Sequence, residues 1–232
     1  MTLDIPANKI ITIVGHYGSG KSNIAVNLAV KYNELGLRTA VADIDIVNPY
    51  FRSADSMEML RSRGIRCIAP EYANTNVDLP TLPAELYGAC ADIASGRDDT
   101  YILLDVGGDD DGAAALGGLR ESLMHGGYEM LFVINAYRPL TAEPEEAVAV
   151  LRDIEARCSL KATGIINNSN LGDETTADIV LDSLPYAEKV CGLSGLPLFG
   201  HTALRRLEGE LGDTDNIIFI DNVTKNIWNM EV

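Results

Sequence analysis

Residues 15–22 read GHYGSGKS, from Gly15 to Ser22. The pattern is GxxxxGK[ST], and its flanks decide how it folds. KIITIVG (9–15) is a β-branched apolar run, whereas KSNIAVNLAVKYNELG (21–36) places Ile24, Leu28 and Leu35 at helical spacing before Gly36. Strand, glycine-rich loop and helix in that order predict a phosphate-binding loop. Its glycines let successive backbone N–H groups curl around a phosphate, and the helix opening at Lys21 aims its positive end at the same charge. Lys21 would offer an ammonium to the β- and γ-phosphates, and Ser22 a hydroxyl to Mg²⁺. The expected nucleotide-binding set is Gly15, Gly18, Ser19, Gly20, Lys21, Ser22 and Asn23.

Outward from the loop, strands alternate with helices. RTAVADID (38–45), IRCIAP (65–70), YILLDVGG (101–108), EMLFVINA (129–136), KATGIINN (161–168), LPLFGH (196–201) and NIIFID (216–221) have strand character, and the two at 101–108 and 129–136 look like central strands covered on both faces. Helices are expected over 57–64, 142–158 and 174–190. The predicted fold is α/β: a P-loop NTPase with a mostly parallel sheet flanked by helices on both faces and ligands at the carboxyl ends of its strands. Residues 1–232 are expected to form a single nucleotide-binding domain. The proline-rich stretch 70–88 reads as a loop entering a helix near Ala84, a candidate loop-and-helix insertion or switch region at 71–96.

Two acidic sites stand at strand ends. Asp105 ends an apolar strand and is followed by Gly107 and Gly108, so it suits a carboxylate near Mg²⁺ beside a glycine that senses the γ-phosphate. Asp43 and Asp45 alternate along one strand and share a face, where one can orient water or magnesium; either also suits a helix cap.

Composition narrows the function classes. With 34 acidic against 18 basic residues, the formal charge is −16, which disfavours nucleic acid and anionic membranes as partners. The four cysteines, Cys67, Cys90, Cys158 and Cys191, are scattered without a CxxC, so neither a disulfide framework nor a local metal site is indicated. The N-terminal residues MTLDIPANK lack the basic and apolar regions of a secretion signal, and a cytoplasmic location is expected.

The stretches GHYGSGKSNIAVNLAVKYNELGLRTAVADIDIVNPYF, YILLDVGG and GIINNSN resemble the MinD/ParA/Mrp/nitrogenase-iron-protein group of P-loop ATPases, also described as the CobQ/CobB/MinD/ParA family. The resemblance implies a Mg²⁺-dependent, ATP-hydrolysing protein that cycles between ATP and ADP, forms a nucleotide-dependent homodimer and couples its state to a protein partner. It implies Lys21, Asp45 and Asp105 as catalytic residues, with Asp45 positioning the attacking water and Asp105 as the Walker B acid. Ser22, Asp43 and Asp105 would serve the metal. Asn168 would read adenine, with Asn167 as the alternative register, and Pro197 would shape a later loop, GLPLFGH (195–201), that closes over the base. No NKxD guanine signature is present, which favours ATP over GTP.

One position departs from the pattern. Where the family's loop reads GKGGxGK[ST], this chain has His16 and Tyr17 in place of a lysine and a glycine. The lysine that would reach an opposing subunit is absent. His16 reads either as a partly charged donor to phosphate or as a locally packed loop residue. The expected role is a cytosolic ATPase acting on a partner protein, with metalloenzyme or redox-complex maturation as the context. The alternatives are an ATP-dependent ligase or kinase for a small metabolite, since biotin- and cobalamin-pathway relatives also lack that lysine, and a nucleotide-binding regulatory module with negligible hydrolysis.

Overall fold

The computed structural model describes residues 5–44, 54–68, 82–108 and 110–223. Asp45, most of the 71–83 loop and the C-terminal residues 224–232 lie outside them.

The strands are β1 (Ile10–Gly15), β2 (Thr39–Asp43), β3 (Arg66–Ile68), β4 (Tyr101–Asp105), β5 (Glu129–Ile134), β6 (Gly164–Asn167), β7 (Leu198–Leu204) and β8 (Ile217–Ile220). They form one eight-stranded sheet in the order β3-β2-β4-β1-β5-β6-β7-β8. Every strand pairing is parallel. The chain runs from β1 to one side of the sheet and later returns to fill the other. Strand order therefore reverses around β1, and such a reversal leaves a crevice at the carboxyl ends of the strands.

Helices α1 (Lys21–Glu34), α2 (Ala54–Ser62), α3 (Ala84–Ala94), α4 (Asp110–Gly117), α5 (Arg120–Gly126), α6 (Pro144–Cys158), α7 (Ala177–Asp182), α8 (Leu184–Ser194) and α9 (Glu208–Leu211) supply the covering layers. The two-residue period of β1 divides the core. Ile10 and Val14 join Leu86 of α3, Leu123 of α5, Leu151 of α6 and Val190 of α8 on one face. Ile11 and Ile13 meet Ile24 and Leu28 of α1 and Leu60 of α2 on the other. Each such buried aliphatic side chain contributes about 1.5–3 kcal/mol, and β1 is anchored from both faces. The P-loop that follows it starts from a rigid strand end.

The helix expected over 174–190 is two helices. Pro185 lies in the first turn of α8, just after α7 ends at Asp182. In a continuous helix its ring would strike the Leu181 carbonyl, whereas a first turn needs no N–H from it. The helix expected near Ala84 begins there as α3.

Candidate nucleotide-binding site

The loop Gly15–Lys21 joins β1 to α1 at the strand-order reversal. Gly20, at φ +91°, ends the loop without a side-chain cap on α1, and no acidic residue occupies the first helical turn. The orphan N–H groups and the positive end of α1 are thus left for an anion. Within the loop, the His16 carbonyl accepts from the Ser19 N–H at 3.1 Å and from Lys21 Nζ at 3.2 Å. Lys21 is nearly buried, at 7% exposure. Its ammonium is held over the loop's own backbone. The Ser19 hydroxyl is buried without a hydrogen-bond partner among the described residues, an arrangement that costs about 1–3 kcal/mol unless a ligand or water completes it.

Strand register brings the two described carboxylates together. Asp43, the last residue of β2, is paired with Asp105, the last residue of β4. Asp105 also pairs with Ile13, so both acids stand beside the start of the P-loop. The Asp105 carbonyl accepts from the Ile44 N–H at 2.9 Å, which extends the pairing one residue past β2. Both acids are 2% exposed. Ser22 is the second residue of α1 and is half-buried. Two carboxylates and a hydroxyl are hard oxygen donors of the kind Mg²⁺ takes together with nucleotide phosphates.

Gly108, one of the two glycines after Asp105, packs against the P-loop itself. A Cβ there would lie 2.6 Å from the Tyr17 nitrogen, 2.7 Å from the Tyr17 Cα and 2.8 Å from Lys21 Nζ. Only a residue without a side chain permits that approach. Its φ is not in the left-handed region, so the constraint is space.

Asn168 is turned inward. Its Nδ2 donates to the Ser19 carbonyl at 2.7 Å, and its Oδ1 accepts from Thr202 Oγ1 at 2.6 Å. The side chain crosses so close to Gly20 that a Cβ there would collide with Asn168 Nδ2. Asn168 therefore ties the P-loop to β7. A primary amide has two donors and two lone pairs, so these two bonds leave one of each. Asn167, the other register, is committed elsewhere: Nδ2 donates to Ser183 Oγ at 2.9 Å and to His201 Nδ1 at 3.0 Å, and Oδ1 accepts from Ser169 Oγ at 2.6 Å. His201 is 6% exposed, and burial pushes its pKa down.

Pro197 is not part of this constellation. It directly precedes β7, and Ile165 pairs with Leu198 while Asn167 pairs with His201. In a parallel sheet that puts Pro197 at the amino ends of the strands, four residues below the level of Asn167. The GLPLFGH stretch is mostly strand, and the segment at the carboxyl end of β7 begins at Arg205 instead. His16, the departure from the family loop, bonds its own neighbour: ring Nδ1 lies 2.8 Å from the Tyr17 carbonyl. Its ring is engaged within the loop. Asn23 follows Ser22 in the first turn of α1, and its Oδ1 accepts from the Val223 N–H at 2.9 Å.

No protein-family model matches the chain, and no curated protein matches it. Solved structures do match in fold. The 54 kDa signal recognition particle protein of Aeropyrum pernix, solved in complex with GDP, aligns with a TM-score of 0.55 at 16% identity over 86% of this chain. Chloroplast FtsY of Physcomitrella patens aligns at 0.53 with 18% identity over 85% of the chain, and FtsY of Mycoplasma mycoides at 0.52 with 19% over 84%. The fold is that of a P-loop NTPase. The chain spans 59% and 60% of those two FtsY chains and 42% of the 54 kDa protein. These likenesses establish the fold class and not membership of the MinD/ParA group. Among the described residues, no helix is long and apolar enough to cross a membrane.

Proposed function

We propose that this protein binds and hydrolyses ATP and transmits its nucleotide state to a partner protein. The observation that carries the reading is the P-loop itself: an uncapped helix start, a nearly buried Lys21 held by the His16 carbonyl, and paired Asp43 and Asp105 at the adjoining strand ends. In this account the loop N–H groups and Lys21 hold the β- and γ-phosphates in line for displacement. Water attacks the γ-phosphorus, the bond from that phosphorus to the bridging oxygen breaks, and ADP and phosphate leave. Asp45, outside the described residues, is the proposed water-positioning residue. Ser22, Asp43 and Asp105 would hold Mg²⁺, which neutralises charge on the phosphate oxygens when bound.

The choice of ATP rests on the loop after β6. Asn168 keeps one donor and one lone pair for a purine edge, and the sequence there lacks the NKxD aspartate that would read guanine. The GDP in the Aeropyrum pernix structure makes GTP the competing nucleotide. Coupling to a protein is supported by exposed apolar side chains on loops at this same edge of the sheet: Tyr17 after β1, Leu140 after β5 and Leu171 after β6. In a chain of net charge −16 they suit a nucleotide-dependent contact with a second protein surface, a homodimer partner included.

The test is phosphate release from ATP and from GTP with Mg²⁺, run with the wild type and with Asp45→Ala. The reading expects ATP turnover, a preference for ATP over GTP, and retained ATP binding with lost turnover in the variant. A preference for GTP overturns the base assignment, and unchanged turnover in Asp45→Ala overturns the assignment of that aspartate.

A further inference from the structure

The geometry points to Arg138 as a phosphate-contacting residue of the nucleotide site, a guanidinium within the same chain beside a loop whose position 16 is histidine and not lysine; this rests on the P-loop reading above. Arg138 lies four residues past the end of β5, the strand paired with β1 on the side away from β4. Its side chain lies over the apex of the P-loop. The Nε atom is 3.8 Å, and Cδ 4.0 Å, from where a Cβ on Gly18 would stand. Gly18 has φ +76°, a conformation that glycine adopts without cost, and a Cβ there would be in ordinary van der Waals contact with the Arg138 side chain.

The segment carrying Arg138 is held in place by Asn135, which is fully buried. The Asn135 carbonyl accepts from the Arg138 N–H at 3.2 Å and from Thr141 Oγ1 at 2.9 Å. Its Oδ1 accepts from the Tyr137 N–H at 2.9 Å, and the Arg138 carbonyl accepts from the Thr141 N–H at 3.0 Å. Tyr137 anchors the outside of the turn by donating its hydroxyl to the Ile179 carbonyl at 2.9 Å. Arg138 thus projects from a fixed turn.

Its charge is also uncommitted among the described residues. Arg38, Arg63, Arg66, Arg97, Arg152 and Arg205 all meet a carboxylate within 4.0 Å. Arg138 has no carboxylate partner there and is exposed, in a chain where acids outnumber bases 34 to 18. An exposed guanidinium beside an anion-binding loop, fixed by its backbone and bare of acids, has the chemistry of a phosphate clamp: planar, always charged and able to bond two oxygens at once.

The experiment compares Arg138→Ala and Arg138→Lys with the wild type in the full-length protein, measuring fluorescent ATP-analogue affinity and single-turnover phosphate release, with Lys21→Ala as reference. Arg138→Ala should bind the triphosphate about 10-fold or more weakly or release phosphate at least that much more slowly, Arg138→Lys should recover part of the loss, and millimolar guanidinium ion should restore activity to Arg138→Ala. A purely structural role would not respond to guanidinium. If the wild type binds, Lys21→Ala binds about 10-fold or more weakly, and Arg138→Ala matches the wild type in affinity and rate, the assignment of Arg138 is overturned and the P-loop reading stands. If Lys21→Ala binds as the wild type does, the P-loop reading fails and takes the assignment of Arg138 with it.

Discussion

Replacing Gly108 with alanine tests the contact between the segment after β4 and the P-loop. The added Cβ would fall 2.6 Å from the Tyr17 nitrogen, about 0.8 Å short of the 3.4 Å at which ordinary contact begins, and it would press on the Tyr17 Cα and Lys21 Nζ as well. Two of those three atoms are not the ends of flexible side chains. The backbone of the loop must move, and overpacking of this kind costs ~1–3 kcal/mol. If the strain persists in the folded protein, the melting temperature falls by roughly 2–12 °C, at ~2–4 °C per kcal/mol for a chain of this size. If the loop instead swings away, the same energy appears as ATP affinity weakened by about 5- to 150-fold. Differential scanning fluorimetry with and without Mg²⁺-ATP, together with a binding titration, reads both routes. A Gly108→Ala protein that melts within a degree of the wild type and binds ATP within twofold would refute the close approach. A Gly88→Ala control locates the effect, because a Cβ at Gly88 would meet nothing within 4 Å.

Asn168→Ala removes the amide donor to the buried Ser19 carbonyl and leaves Thr202 Oγ1 only its longer bond, 3.4 Å, to the Asn167 carbonyl, and should cost about 1–3 kcal/mol; thermal denaturation and nucleotide titration should both register it. His201 is buried with Nδ1 accepting from the Asn167 amide, so protonation would set two donors against each other. Its folded pKa lies below the ordinary 6.5, chiefly through burial, so the protein should lose stability as pH falls below that value. His201→Gln should flatten the slope of melting temperature against pH between about 7 and 5, and an unchanged slope would refute the link. Burial also pushes the Cys90 thiol up to about 12, so iodoacetamide at pH 8 should leave Cys90 unmodified in the native protein and label it after denaturation, as mass spectrometry of the peptides would show.

Much of the architecture was legible because local chemistry carries it. KIITIVG followed by glycines and a lysine specifies β1, the loop and α1, and the apolar runs ending in Asp or Asn correspond to β2, β4, β5 and β6. The placement of Asp43 beside Asp105 follows once the strands are parallel and in register. What could not be read depends on residues far apart in sequence. Asn168 meets Ser19 across 149 positions, and no local pattern announces that its amide braces the P-loop. Pro197 was misplaced because a proline flanked by apolar residues suits a loop as well as the residue before a strand. Only the register of β6 with β7 shows which end of the sheet it occupies. Arg138 had no signal beyond its position after a central strand. Its relation to Gly18 exists only in three dimensions. Helices α4 and α5 are short, and α4 is alanine-rich with a glycine at its end, which gives little periodicity to recognise.

The central claim is that this chain holds a nucleoside triphosphate through the loop at 15–22 and Lys21. Its most direct test is isothermal titration of Mg²⁺-ATP into the wild type and into Lys21→Ala, with circular dichroism confirming that both are folded. The account predicts saturable, one-to-one binding to the wild type and a loss of about 10- to 150-fold in the variant, the range expected when a hydrogen-bonded charge is removed. Equal affinity in the two proteins, or no binding to the wild type, would contradict it.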